Sequence, residues 1–419
     1  MNVLLDIAAS LLVLTALLAY ANQRWLKLPM TIGVMATSLG LSLALAALDA
    51  LGVAGGLHAR EQSLVQAIDF SELLMQGMLS LLLFAGALHV DVAALRDYRW
   101  QVGALAFVGT ALSTVLVGTG LWLVVGAVGL PVPLLECLLF GALISPTDPI
   151  AVIGMLKSGG APRNLEVVIA GESLFNDGVG VVLFTLLLGM VLEGGVPSAG
   201  HAGALLLREA GGGLLFGWML GWGTHALLRS MHHYQVEVLL TLAAVVGGYA
   251  LANHLHVSGP LAMVVAGLVV GGRRRLSQPH EDAARHLDLF WELLDDVLNA
   301  VLFVLVGMEV ITLHFPLHAG AAVAAGLAAI AIALGARWLA VGLPVALARR
   351  AFRLPAGAAG VLTWGGLRGG ISIAMALAIP PGPWRDTLVA LTYGVVAFSI
   401  LVQGLTFGRL VRATVRTDA

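Results

Sequence analysis

The sequence predicts an all-α polytopic membrane protein with about thirteen transmembrane helices. Of its 419 residues, 59% are hydrophobic and only 11% are charged, whereas a soluble domain carries about 25% charged residues. A membrane helix needs about 20 mostly apolar residues, and charge-free runs of that length recur, for example at 28–48, 100–135 and 238–272. This composition excludes a soluble enzyme or a disordered scaffold. The net charge of −2 gives no reason to expect a nucleic-acid partner.

Turn signals such as Gly129–Pro133 and Val257–Pro260 divide the longer apolar runs into separate helices. Thirteen spans result, and we expect the lipid bilayer to surround them as one transmembrane unit covering residues 1–419, with no soluble domain. The predicted spans are 3–21, 30–49, 72–90, 101–128, 133–157, 165–193, 201–230, 235–254, 259–272, 289–314, 319–347, 357–379 and 384–411.

The basic residues alternate along the chain in step with these spans. If the N terminus lies outside the cell, only Arg60, Arg208 and Arg385 fall in outer loops. The positive-inside rule therefore predicts an external N terminus and a cytoplasmic C terminus. Of the 22 lysines and arginines, 17 then lie on the cytoplasmic side: Arg24, Lys27, Arg96, Arg99, Lys157, Arg163, Arg229, Arg273, Arg274, Arg275, Arg285, Arg349, Arg350, Arg353, Arg409, Arg412 and Arg416.

Five charged residues remain deep inside predicted spans: Asp148, Glu172, Asp177, Arg337 and Arg368. An ionisable group at this depth costs several kcal/mol or more, so it normally pairs with another group or lines a functional cavity. One such residue is as easily explained by helix packing as by function. Five of them in four spans favour a functional site.

The first of these spans is predicted to break at its centre, where the sequence reads Ser145-Pro146-Thr147-Asp148-Pro149. The two prolines remove two backbone donors and push the preceding residues out of the α region. Broken helices near the midplane expose backbone carbonyls and helix ends, which bind ions in secondary transporters. Thr147 and Asp148 therefore become candidate cation ligands.

The sixth span carries Glu172, Ser173, Asn176 and Asp177. Glu172 and Asn176 are four residues apart, as are Ser173 and Asp177, so each pair shares a stripe of the helix. One helix face is therefore rich in oxygen at mid-depth. Oxygen ligands suit hard cations, whereas no cluster of His and Cys suggests a transition metal.

The twelfth span reads Trp364-Gly365-Gly366-Leu367-Arg368-Gly369-Gly370, and its glycines weaken the helix around a buried arginine. Spans 4–6 and 11–13 are offset by seven, so the two triplets run in opposite directions. This arrangement predicts inverted repeats in which the two discontinuous helices, spans 5 and 12, cross at the midplane. At such a crossing Asp148 would face helix N termini and Arg368 would face helix C termini.

These three motifs, in this order along a chain of thirteen spans, resemble the NhaP-like and NHE-type sodium/proton exchangers of the monovalent cation:proton antiporter superfamily. The resemblance implies a non-enzymatic, cofactor-independent transporter of sodium, or lithium, that serves pH homeostasis. It also implies a homodimer in the cell inner membrane. The family fold implies a core ion-translocation domain, here about 101–193 and 319–411, while the remaining helices form a dimerisation scaffold.

The resemblance also implies roles for individual residues. Asp177 is expected to bind either sodium or a proton, while Asp148, Thr147 and Ser173 complete the sodium shell. Asn176 takes the first position of an Asn-Asp pair, which goes with electroneutral exchange by alternating access. Three core charges are expected to be structural, namely Arg368 and the ion pair of Glu172 with Arg337.

Two alternative functions remain open, and the sequence departs from the family pattern at one point. A potassium/proton antiporter of the same fold is the nearest alternative, and an intramembrane aspartyl protease is a distant one. Some relatives carry a further carboxylate in the third span, but no Asp or Glu lies between Glu72 and Asp91 here. Asp295 and Asp296 are interpreted as a wet helix end in preference to a funnel for cations. Asn299 is expected to bond across helices.

Overall fold

The computed structural model describes residues 2–51, 72–127, 132–158, 161–193, 199–231, 233–277, 281–309 and 319–414, and these residues contain helices and no strand. Arg60, Arg416 and the last five residues of the predicted tenth span, 310–314, lie outside the described residues.

The helices follow the predicted order. In the first half they are Asn2–Ala21, Met30–Ala50, Leu79–His89, Arg99–Ala127, Leu134–Ile144, Ile150–Ser158 and Arg163–Glu193, with the short helix Val92–Asp97 before the fourth. In the second half they are Ala199–Leu206, Gly212–Arg229, Tyr234–His254, Gly259–Ser277, Glu281–Glu309, Ala319–Arg337, Leu343–Leu347, Arg349–Phe352, Ala358–Trp364, Gly370–Leu377, Arg385–Phe398 and Leu405–Thr414.

Short π-helical segments join or extend several of these helices, at Asn22–Leu26, Leu73–Met78, Ala104–Gly109, Leu207–Gly211, Trp338–Gly342 and Ser399–Gly404. By length and apolar composition alone, five helices among the described residues can cross a membrane, and the bent pair Ala8–Leu26 and Met30–Leu45 raises the number to six if it is a single span. The five are Arg99–Ala127, Arg163–Glu193, Tyr234–His254, Val323–Leu347 and Arg385–Thr414.

One helix boundary departs from the sequence prediction in a way that matters for the site. The helix Glu281–Glu309 begins at residue 281 and not at 289. The prediction started at 289 because acidic and basic residues precede it, but a helix end outside the apolar region tolerates such residues. Asp295 and Asp296 consequently lie in the middle of a long helix and not at its end. We call Glu281–Glu309 the flanking helix.

Glycines allow three helices of the middle of the chain to approach closely. A Cβ on Gly217 would lie 2.3 Å from the carbonyl oxygen of Ala262, and one on Gly271 would lie 2.4 Å from that of Leu88. The helices Gly212–Arg229, Gly259–Ser277 and Leu79–His89 therefore pack backbone to backbone, as small residues permit in membranes.

Candidate functional site

The helical path is interrupted at Ser145–Pro149, between the helices Leu134–Ile144 and Ile150–Ser158. We call this interruption the first break. The Ser145 Oγ lies 2.7 Å from the carbonyl oxygen of Gly141, 3.0 Å from the Ser113 Oγ and 3.3 Å from the Thr114 Oγ1, so three neighbours fix its position. Pro146 and Pro149 supply no backbone donor, which explains why the helix does not continue.

A second break occupies residues 365–369, between Ala358–Trp364 and Gly370–Leu377. The backbone N–H of Asp148 donates to the Leu367 carbonyl oxygen at 2.7 Å, so the two breaks are in direct contact. The backbone N–H of Arg368 donates to the Ser399 Oγ at 2.8 Å. Backbone groups that the interrupted helices leave without partners are therefore satisfied by neighbouring segments.

The guanidinium of Arg368 lies at the C-terminal end of the helix Leu134–Ile144. Its Nη1 donates to the carbonyl oxygens of Ser145 at 2.6 Å and of Pro146 at 2.9 Å. The last carbonyls of a helix lack intrahelical partners and carry partial negative charge. A buried positive charge at this point compensates them, which is the position suggested by the sequence.

The carboxylate of Asp148 lies beside the second break. A Cβ on Gly369 would come within 2.6 Å of the Asp148 Oδ2, so only a glycine leaves room for this side chain. Gly369 immediately precedes the helix Gly370–Leu377. Negative charge is favoured at such a helix N terminus, where backbone N–H groups point outward.

Asn176 connects the first break to the helix Arg163–Glu193. Its Nδ2 donates to the Thr147 Oγ1 at 2.8 Å and to the Glu172 Oε1 at 3.2 Å, while its Oδ1 accepts from the Thr147 backbone N–H at 3.2 Å. The Ser173 Oγ is 3.0 Å from the same Thr147 hydroxyl. Asn176 and Ser173 thus hold Thr147 in place.

Glu172 and Arg337 form a bidentate ion pair away from solvent. The Arg337 Nη1 and Nη2 donate to the two carboxylate oxygens of Glu172 at 2.5 and 2.8 Å. Arg337 also donates to the Leu362 carbonyl oxygen, at 3.2 Å from Nη2. Glu172 is 0% exposed, and both of its carboxylate oxygens accept hydrogen bonds from Arg337.

A cavity of about 90 Å³ lies between these elements, which is room for a cation and a few waters. Its polar lining residues are Thr147, Asp148, Asp177, Asp295, Asn299 and Ser372. Of the five residues predicted to bind ions, Asp177, Asp148 and Thr147 therefore line the cavity. Ser173 and Asn176 do not line it but contact Thr147 behind it.

Three of the lining residues were not predicted from the sequence to belong to the site. Asp295 was interpreted as part of a wet helix end, and the structure instead places it in the cavity wall. Asn299 was expected to bond across helices, whereas its Nδ2 donates within its own helix to Asp295, at 2.9 Å to the backbone oxygen and 3.1 Å to Oδ1. The spacing of four residues between them was the available signal. Ser372 gave no signal in the sequence.

Gly180 controls how closely the first break approaches the helix Arg163–Glu193. A Cβ on Gly180 would lie 2.1 Å from the Pro146 Cγ, whereas one on Gly189 of the same helix would have no heavy atom within 4 Å. Overpacking of this kind costs about 1–3 kcal/mol. We expect Gly180→Ala to lower the unfolding temperature and the exchange rate, measured in detergent and in vesicles. Gly189→Ala is the matched control, and equal behaviour of the two variants would contradict the packing argument.

A sequence model described as "Sodium/hydrogen exchanger, transmembrane" matches residues 13–413. The chain belongs to this family. The matched region contains both breaks, all five charged residues of the predicted core and every residue that lines the cavity. Because the family consists of transporters, the protease alternative is not supported.

Curated relatives match over nearly the whole chain. The chain is 50% identical over 415 residues to the Na⁺/H⁺ antiporter NhaP of Pseudomonas aeruginosa, covering 98% of this chain and 96% of that protein. It is 34% identical over 356 residues to the Na⁺/H⁺ antiporter NhaH of Halobacillus dabanensis, covering 84% of this chain and 85% of that one.

The fold is also similar to that of solved structures. The sodium proton antiporter MjNhaP1 from Methanocaldococcus jannaschii at pH 8 superposes with a TM-score of 0.75 at 18% identity, covering 98% of both chains. An electron-microscopy map of the same antiporter gives a TM-score of 0.64 at 20% identity. Because the sequence identity is low, this similarity concerns the fold alone. It establishes that the all-helical chain has the fold of that antiporter.

Proposed function

We propose that the chain exchanges sodium for protons across the membrane as a secondary active transporter. The observation that carries the proposal is that Asp177 and Asp148 line one cavity at the contact of two broken helices. The names of the relatives, all sodium/proton antiporters, support sodium as the cation. Lithium is a second candidate, and potassium is the alternative within the same fold.

The coupling of sodium transport to proton transport follows from the single negative charge of Asp177. Asp177 is 7% exposed, and a bare carboxylate crosses an apolar barrier at great cost. Sodium and a proton compete for this carboxylate, and each of them neutralises it. Only the neutralised site moves between the two sides, so each sodium that crosses in one direction is exchanged for a proton in the other.

The proposed sodium ligands are Asp177, Asp148 and Thr147, which line the cavity, together with Ser173, whose hydroxyl contacts that of Thr147. Asn176 belongs to the ion-binding region as the residue that orients Thr147, and its neutral amide adds no charge to those of Asp177 and Asp148. A site with one exchangeable charge supports electroneutral exchange of one sodium for one proton.

The proposed architecture has thirteen spans in the cell inner membrane. The N terminus lies outside and the C terminus lies in the cytoplasm. Spans 4–6 and 11–13 form inverted repeats whose broken helices, spans 5 and 12, cross. Residues of about 101–193 and 319–411 form the moving core, and the other helices form the scaffold of a homodimer. The contact between the backbone of Asp148 and Leu367 supports the crossing.

A reconstituted assay tests the function. The purified protein is reconstituted in vesicles that hold a proton gradient across their membrane. Sodium, lithium or potassium is then added in turn, and a pH-sensitive dye reports proton efflux. We expect sodium to collapse the gradient, at a rate that an imposed membrane potential leaves unchanged. Protein-free vesicles and choline are the controls. A response to potassium alone would support the alternative, and no response to any cation would contradict the proposal.

A further inference from the structure

Three carboxylates line the cavity, namely those of Asp148, Asp177 and Asp295. Asp148 is close enough to interact electrostatically with both Asp177 and Asp295. The described part of the chain holds no group of three His, Cys, Asp or Glu side chains close enough to share one metal ion. The three acids therefore do not form a single cluster, and Asp295 stands apart from the position at Asp177.

The surroundings of Asp295 are suited to binding a cation. Among the residues that the structure describes, no Lys, Arg or His lies within ion-pair distance of it. Its carboxylate accepts a hydrogen bond from Asn299, which ties the amide nitrogen of Asn299 to Asp295. The Asn299 side chain is only 3% exposed and lines the cavity. Both hydrogen bonds that Asn299 donates to Asp295 use its amide nitrogen, and its amide oxygen is the kind of ligand that a hard cation prefers.

Ser372 supplies a second and independent sign of a ligand. This side chain is 1% exposed and lines the same cavity, yet its Oγ has no hydrogen-bond partner among the described residues. A buried hydroxyl without a partner is unfavourable, so such groups normally meet water or an ion. The lining residues Leu82, Leu83 and Gly86 offer no side-chain oxygen.

We propose that Asp295 and Asn299 of the flanking helix, together with Ser372, form a second cation-binding position. From this position sodium moves past Asp148 to Asp177. The inference rests on the proposed function. The flanking helix lies outside the proposed core, so this position serves only the side of the membrane to which the cavity leads. When the core moves away with Asp177, Asp295 stays behind with the scaffold.

The first test separates affinity from turnover and compares the two sides. We expect Asp295→Asn to raise the KM for sodium roughly five- to tenfold, because a carboxylate near the cation path is lost, with little change in the maximal rate. The KM rises for sodium supplied from one side of the vesicle only, the cytoplasmic side in the proposed topology. Asp296→Asn is the matched control, since it removes the same charge from the next, exposed residue, which does not line the cavity.

Each outcome of this test either supports or overturns the inference. An unchanged KM in Asp295→Asn, an equal rise in Asp296→Asn, or an equal rise from both sides overturns the inference. If Asp295→Asn does not fold, Asn299→Ala is measured by the same criteria. Ser372→Ala removes no hydrogen bond within the described chain, so a merely structural serine predicts an unchanged KM, whereas the proposed position predicts a higher one.

A second measurement distinguishes this inference from the function itself. In Asp177→Asn, which lacks the proposed carrier, sodium but not choline should still raise the unfolding temperature in detergent. This stabilisation should disappear in Asp177→Asn/Asp295→Asn. Persistent exchange by Asp177→Asn would overturn the proposed function. Two other results overturn only the second cation-binding position: sodium fails to stabilise Asp177→Asn, or sodium still stabilises Asp177→Asn/Asp295→Asn.

Discussion

Asp177→Asn is expected to reduce sodium-driven proton flux to the level of protein-free vesicles. Asparagine has nearly the same shape as aspartate, but it neither accepts a proton near neutral pH nor neutralises a sodium ion. The variant therefore has no charge for the two ions to compete for. The measurement is dye-monitored proton efflux from proteoliposomes over a range of sodium concentrations, so that a weakened site is distinguished from an absent one.

The same variant should remain folded. Asp148 and Glu172 are close enough to repel the Asp177 carboxylate, so removing its charge relieves repulsion. We expect an unfolding temperature equal to or above that of the unchanged protein. Asp296→Asn again provides the matched control, with normal maximal flux expected. Flux well above background from folded Asp177→Asn protein would refute the assignment of Asp177 as the carrier.

Local rules made both helix breaks predictable. Pro146 and Pro149 remove donors from one segment, and the glycines around Arg368 weaken another, so neither interruption depends on the rest of the fold. The oxygen-rich face of the helix Arg163–Glu193 follows equally from residue spacing. Contacts over long sequence distances have no such local signal. The partners Glu172 and Arg337 are 165 residues apart, and only the resemblance to the exchangers suggested their pairing.

The cavity wall was less predictable than the charged residues within it. Hydropathy placed Asp295 near a helix end because the charged residues before 289 resemble a loop, whereas the helix in fact begins at Glu281. Ser372 lies in an apolar helix, where a serine normally bonds to its own backbone. Its lack of such a bond is a property of the packed structure. Sequence patterns therefore identify the strongest charges, and three-dimensional packing decides which neutral groups accompany them.

Glu172→Gln is expected to destabilise the protein by about 3–5 kcal/mol, because it leaves the buried Arg337 without its counter-charge. The remaining partner of Arg337 is the carbonyl oxygen of Leu362, which does not neutralise it. Thermal unfolding in detergent and the yield of folded protein are the measurements. Glu193→Gln is the matched control, because Glu193 is exposed at the end of the same helix and should be replaceable without loss.

The double variant Glu172→Leu/Arg337→Met decides between a structural and a transporting role. Replacing both members of a buried ion pair by apolar residues is often neutral or stabilising, whereas removing one is costly. We therefore expect the double variant to be more stable than either single variant and to keep a nearly normal KM for sodium. Asn176 still holds Thr147 through two hydrogen bonds that involve neither member of the pair. A double variant that regains stability but loses sodium affinity would show that Glu172 acts on the ion itself.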